Sequence, residues 1–237
     1  MRSGFQGFSR EAFEFFRGLE KNNRREWFQP RKELFETHLR APMLDLVTVV
    51  NAELARFAPD YIVDPPKSLY RIYRDTRFSS DKTPYKTHIA AMFWRRGLDK
   101  KTGAGLYFSV SHKEVEIAGG VYMPGPEQLG AIRNRLAERY EQFRKLTGSK
   151  KLRNLMGELR GDQLSRVPKG FPSDHPAADL LRGKQWYYYV LLDPGAAASP
   201  AIVKEIATRF RAMAPLVDFL NAPLLARPKA DFASMLF

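Results

Sequence analysis

The sequence predicts an α+β protein, a single domain with helices packed on a largely antiparallel sheet, and three observations predict it. Apolar residues recur at helical spacing through the first quarter of the chain. Short runs rich in aromatic and β-branched residues then follow, separated by turns too short for the dozen or so residues a parallel crossover needs. Helical spacing returns after Pro126.

The first helix is expected from about Arg10 to Lys21, because Phe8, Ala12, Phe15, Phe16 and Leu19 fall on one face behind Ser9. Asn22-Asn23 ends it, and Asn23 with Glu26 three residues on has the spacing of a capping box for the next helix. Trp27, Phe28, Leu34, Phe35 and Leu39 would line that helix's buried face, with Pro30 kinking or restarting it. Leu44, Val47, Val50, Leu54 and Phe57 continue the period from Pro42 to Pro59.

Asp64-Pro65-Pro66 cannot continue a helix, since each proline lacks an amide donor and restricts the residue before it. Strands are expected at Lys67 to Asp75, Thr87 to Arg96, Gly105 to His112 and Val115 to Tyr122. A helix then runs from about Pro126 to Leu146, with a shorter one at Lys150 to Leu159. Val167 to Pro176, with three prolines and a glycine, reads as an ordered loop. Asp174 would cap a helix from His175 to Arg182, and Gly183 would end it. Lys184 to Leu192 reads as another strand. The last helix spans about Pro200 to Leu220, broken at Pro215. No repeat or linker interrupts the pattern, so one domain is expected over 1–237, with its core at about 8–221 and a loosely held tail at 222–237.

Composition narrows the chemistry. Of 237 residues, 44% are hydrophobic and 27% charged, as in an ordinary globular protein. Cysteine is absent, which removes disulfides, thiol nucleophiles, thiolate zinc sites and iron–sulfur clusters. No secretory leader and no apolar run of spanning length is evident, so a cytoplasmic protein without membrane contact is expected. Lys plus Arg number 39 against 26 acids, a formal +13, which favours phosphorylated or acidic partners. Histidine-pair, calcium-loop, phosphate-loop, dinucleotide and Gly-x-Ser-x-Gly patterns do not occur, so no metal and no cofactor is expected.

The densest signal lies between Lys67 and His88, where six Lys or Arg accompany two Asp. Arg71, Arg74 and Arg77 recur every third residue, with Asp75 and Asp81 between them and Lys82, Tyr85, Lys86 and His88 after. Guanidinium forks match carboxylate and phosphate oxygens, so three of them together would hold a polyanion while the aspartates orient them. Along a regular strand Arg71 and Arg74 diverge; a bulge or the strand's end has to intervene for them to converge. A structural salt-bridge network is the plainer reading, and it stays open beside the ligand site.

The string Arg71-x-x-Arg74-Asp75-x-Arg77-Phe78-x-x-Asp81-Lys82-x-x-Tyr85 resembles the signature of the domain-of-unknown-function family numbered 2461. So do Asn22 to Phe28 and Lys169 to Pro176, and the resemblance spans roughly Phe8 to Asn221. It implies one shared domain and no assigned activity.

Around that centre, Asn23 and Arg25 sit at a helix start, where free amides favour an anion and a cation is out of place. The leading expectation is a small anionic ligand, phosphate- or carboxylate-bearing, held by Arg71, Arg74 and Arg77 with Lys82 and Lys86. Asp75, Asp81, Asn23 and Arg25 would complete the site. If chemistry occurs there, His88 or Asp81 would carry the proton, Tyr85 would donate to the ligand and Arg74 would stabilise developing charge. The alternative is sequence-independent nucleic-acid binding by the run from Arg133 to Lys169, eleven Lys or Arg against four acids. A third reading is an interaction module whose central charges pair internally. Oligomeric state is not legible.

Overall fold

The computed structural model describes residues 4–225, and it is an α+β fold with helices on one face of a four-stranded antiparallel sheet. The strands are β1 His88–Trp94, β2 Gly105–Ser111, β3 Val115–Val121 and β4 Trp186–Leu192, in the order β1-β2-β3-β4. Their register places Met92 opposite Tyr107, Tyr107 opposite Ala118 and Ala118 opposite Tyr189. Since side chains alternate across a strand, Ile89, Ala91 and Phe93 share one face with Leu106, Phe108, Ile117, Gly119 and Tyr188. That face carries the core.

α9 (Ile202–Leu225) lies across it, with Phe210 5.4 Å from Phe93 and 6.4 Å from Phe108 between ring centres. It continues through Pro215, where a break was expected. Met213, Leu216, Val217 and Leu220 are all buried, and their packing outweighs the missing hydrogen bond. Residues 222–225, expected in a loose tail, are therefore helical, while the rest of that tail lies outside the described residues. α6 (Pro126–Thr147) packs beside α9 through Phe143 and Phe219, 5.4 Å apart, and kinks at Arg139. α7 (Lys150–Met156) is capped by Ser149, whose hydroxyl accepts from Leu152 N–H.

The N-terminal layer begins with α1 (Arg10–Lys21), as its aromatic stripe predicts. The next stretch is helical in pieces: α2 (Arg25–Phe28), a 3₁₀ turn Gln29–Arg31 at Pro30, α3 (Lys32–Phe35), a π turn Glu36–Arg40 and α4 (Ala41–Leu54). Pro42 has no N–H to give its i−4 carbonyl, and the wider π turn just before it makes room for the ring. Phe28 sits at the centre of this layer, 6.0 Å from Phe15 and 5.7 Å from Phe35.

Two expected elements differ. Lys67 to Asp75 is not a strand: α5 (Pro65–Ser68) is a single helical turn begun by its prolines, and the rest is extended chain with two isolated bridges. The helix expected at His175–Arg182 shrinks to α8 (Ala178–Leu181), without a side-chain cap, because His175 Nδ1 accepts the Ala177 amide and holds a turn there. Val167 to Pro176 is loop, as expected.

Three asparagines fasten irregular chain to these layers in the same way. Asn23, Asn51 and Asn221 each accept one residue's N–H and donate to its C=O, at Tyr85, Val63 and Ala104 respectively. A carboxamide sets an acceptor oxygen beside a donor NH2, so it substitutes for a neighbouring strand. Both outer strands are also covered. Tyr70 N–H donates to Ala90 C=O along β1, and Arg160 exchanges two backbone bonds with Tyr187 along β4.

Candidate functional site

The charged segment forms an irregular hairpin. Leu69 bridges Ala91, and Tyr73 bridges Tyr85. From Leu69 to Tyr73 the chain takes four steps, while from Tyr85 to Ala91 it takes six, so two extra residues bulge out at Lys86–His88. A bulge therefore does intervene, but in the opposite strand from the arginines. It re-aims Lys86 and Thr87 just before β1 and His88 at its first position.

Beside the bulge lies an open cleft of about 350 Å³. Among the expected site residues, Asn23, Arg74, Asp81, Tyr85, Lys86 and His88 line it, joined by Glu20, Thr83 and Thr87. Arg71 lies elsewhere, in a groove of about 310 Å³ between α2, α3 and the π turn on one side and the extended segment on the other. Arg25, Asp75, Arg77 and Lys82 line neither. The three arginines thus do not converge on one pocket, and alternation along extended chain is the reason.

Local pairing consumes both aspartates. Asp75 accepts from Arg77 Nε at 3.0 Å and from Nη2 at 2.8 Å on an exposed loop. That guanidinium, with the Arg77 amide, holds the Asp75 carboxyl down at about 2. Asp81 accepts the Thr83 amide at 2.9 Å and also pairs with Arg74, which donates to the Thr83 hydroxyl as well. The Thr83 amide first, then Arg74, lower its carboxyl to about 2. Asp81 is thus a fixed anion rather than a neutral-pH proton carrier. Lys82 donates to Thr76 C=O at 2.9 Å and closes the same loop.

Two more expectations change on contact geometry. Asn23 does not cap α2: Arg24 holds the cap position with no side-chain bond, and the Asn23 amide is committed to Tyr85 at 2.9 and 3.0 Å. Tyr85 packs its ring on Phe28, 4.2 Å between centres and nearly parallel, and is 1% exposed. Burial raises its phenol, which serves packing rather than the cleft.

Lys86 is different. Among the described residues it makes no ion pair, and the same holds for Arg71 and Lys100. The Lys86 and Lys100 ammonium groups lie 5.0 and 4.2 Å from the Tyr70 ring centre. Lys100 donates to the C=O groups of Lys67, Ser68 and Leu69 at 2.6–2.9 Å, capping the end of α5. Burial, then Lys86, lower Lys100 to about 8. Burial, then Arg71, lower Lys86. Burial, then Lys86, lower His88, which leaves its imidazole neutral at pH 7. Lys86 and Lys100 each feel another cation and no partner acid, whereas Arg71 also acts on Asp75. Lys100 lies in a charged turn with no motif around it, so nothing in the sequence distinguishes it from a surface lysine.

The basic run from Arg133 to Lys169 is not one strip. Arg133 is buried and donates to Gly183 C=O, Arg135 covers Phe219, Arg144 pairs with Asp179 and Arg153 with Glu158. Arg160 instead lies over Tyr189, 4.5 Å from the ring centre.

No group of three or more His, Asp or Glu among the described residues is placed to hold a metal, and no described helix is long and apolar enough to cross a membrane. The family model described as conserved hypothetical protein (DUF2461) matches residues 11–219, and the chain belongs to that family. Comparison with the curated proteins and with the solved structures finds no match.

Proposed function

We propose that this member of the family binds a phosphate- or carboxylate-bearing ligand at the bulge. Lys86 is the central cation, Arg74 and Arg71 stand on either side of the extended segment, and Thr83, Thr87 and neutral His88 are polar neighbours in the cleft. One observation carries this reading: Lys86 and Lys100 are partly desolvated, Lys86 acts on Lys100 and Arg71 acts on Lys86, and among the described residues no carboxylate pairs with either lysine. Such a gathering destabilises the unliganded fold, and an anion relieves it. Structural contacts explain Arg74 with Asp81, Arg77 with Asp75 and Lys100 at the end of α5, but none of them accounts for Lys86. Should the ligand react there, His88 is the proton carrier, since Asp81 stays ionised and Tyr85 is buried in packing.

Thermal melts and calorimetry with inorganic phosphate, pyrophosphate and citrate test this. The expected result is a concentration-dependent rise in Tm for at least one of them, abolished by Lys86→Ala and kept by Arg77→Ala. No response to any of the three, or a response that Lys86→Ala leaves intact, overturns it.

A further inference from the structure

The sheet face opposite the helices is open along β3 and β4, whereas on its β1–β2 half Ala90 and Ser109 are buried and Tyr107 is half-buried. Register places Met92 and Trp94, Tyr107, Ala118 and Gly120, and Tyr187, Tyr189 and Leu191 on it, and no described helix packs there. Leu191 is 48% exposed at one end of this face, and Tyr122, just past β3 at the other end, is 59% exposed. At positions 118 and 120 the surface is only a methyl group and a hydrogen, so the middle of the sheet is a shallow floor between aromatic walls. On the β4 side Tyr187 and Tyr189 are stacked at 6.2 Å, with Tyr122 edge-on to Tyr187 at 5.1 Å and Arg160 over Tyr189. On the β1 side Tyr107 lies 6.2 Å from Tyr70, which Lys86 and Lys100 flank.

Flat rings on either side of a bare floor, with a cation beside each set of rings, suit a ligand that alternates flat apolar faces with phosphates. We infer that the open face binds single-stranded nucleic acid, with bases stacked on Tyr107, Tyr187 and Tyr189 and backbone phosphates at Lys86 and Arg160. The inference rests on the anion site proposed above and names the class of its ligand. Base–aromatic stacking tolerates any base, and four-stranded sheets offer two or three such platforms at the strand spacing. Charge decides against a second copy of this chain on the same face: two molecules of formal +13 repel, whereas a polyanion is drawn in. Glu116 is also on this face, and burial, then Glu114, raise its carboxyl.

The test is anisotropy of a labelled twenty-nucleotide oligo-dT, against its duplex and against polyphosphate, at two salt concentrations. Expected are tighter binding of the single strand than of the duplex and a steep loss with salt, about 0.7 log units per phosphate contacted. Tyr189→Ala and Tyr187→Ala should each weaken the oligonucleotide roughly five- to a hundredfold while leaving polyphosphate unchanged, and Tyr189→Phe should restore it. Lys86→Ala should weaken both ligands. Both alanine changes lie at half-exposed positions, and unchanged circular dichroism confirms that they fold. Duplex binding as tight as the single strand, or no effect of either tyrosine change, overturns the inference while leaving the anion site standing. No binding of either ligand removes both. A dimer in sedimentation that Tyr189→Ala dissolves also overturns it, since the face is then occupied by the partner copy.

Discussion

Replacing Asn23 by alanine separates the fastening of the charged hairpin from its ligand chemistry. The Asn23 carboxamide accepts the Tyr85 amide at 3.0 Å and donates to the Tyr85 carbonyl at 2.9 Å, in a half-buried position. Two hydrogen bonds at about 0.5–1.5 kcal/mol each give an expected loss of about 1–3 kcal/mol for Asn23→Ala. For a chain of this size that is a fall in Tm of about 2–12 °C. Asn221 makes the same clip at Ala104 but is fully buried and also donates to the Tyr61 hydroxyl. Asn221→Ala leaves buried groups with no solvent to replace the bond, so its loss should exceed that of Asn23→Ala. Asn23→Asp is the sharper probe. A carboxylate still accepts from the Tyr85 amide but has nothing to donate to the carbonyl, so its pKa is raised in the folded state. Its stability relative to Asn23→Ala should therefore improve as pH falls towards about 4 and the protonated acid regains a donor. Urea melts of the three variants across pH measure this. A cost below about 0.5 kcal/mol for Asn23→Ala, or aspartate tolerated as well as asparagine at neutral pH, refutes the clip.

Phe28→Ala removes the ring that joins Phe15, Phe35 and Tyr85, and should cost about 3–5 kcal/mol in chemical denaturation. Gly120 has φ +130°, and a Cβ there would lie 2.3 Å from the Trp186 carbonyl oxygen, so Gly120→Ala should cost at least about 2 kcal/mol or abolish folding, as read by expression and melting. Asp75 and Asp81 have lowered pKa values, so their contribution is present above about 3.8 and is lost as pH falls through about 2; Asp81→Asn should flatten the acid limb of Tm against pH. Lys100 moves the other way. Its folded pKa of about 8 is below the unfolded 10.5, so the unfolded chain holds more protons between them and stability should rise with pH there, a rise that Lys100→Met removes.

Periodicity in the sequence locates the elements that bury a regular face. α1 and β1 to β4 fall within a few residues of expectation, because a stripe at 3.6 or an alternation at 2 is what burial against one layer demands. It misses where the chain leaves those periods. Lys67 to Asp75 has strand composition, yet two prolines begin a helical turn and the bulge at Lys86–His88 limits pairing to two bridges. The cluster of charges marks the right neighbourhood, since six of the expected site residues line one cleft. Its internal order is not legible. Asp75 turns to Arg77, and Asp81 reaches back across the loop to Arg74, choices set by loop conformation. Asn23 meets Tyr85 across 62 positions of sequence, and Lys100 reaches the end of α5 from the far side of β1. Neither approach leaves a local pattern.

Both margins of the sheet are already taken by the chain's own extended segments, Leu69–Tyr70 along β1 and Arg160 along β4. A foreign peptide that would lengthen the ladder therefore meets these segments at Ala90–Ala91 and at Tyr187. Runaway strand-on-strand polymerisation has to displace the chain's own segments first, which biases docking towards recognition through side chains.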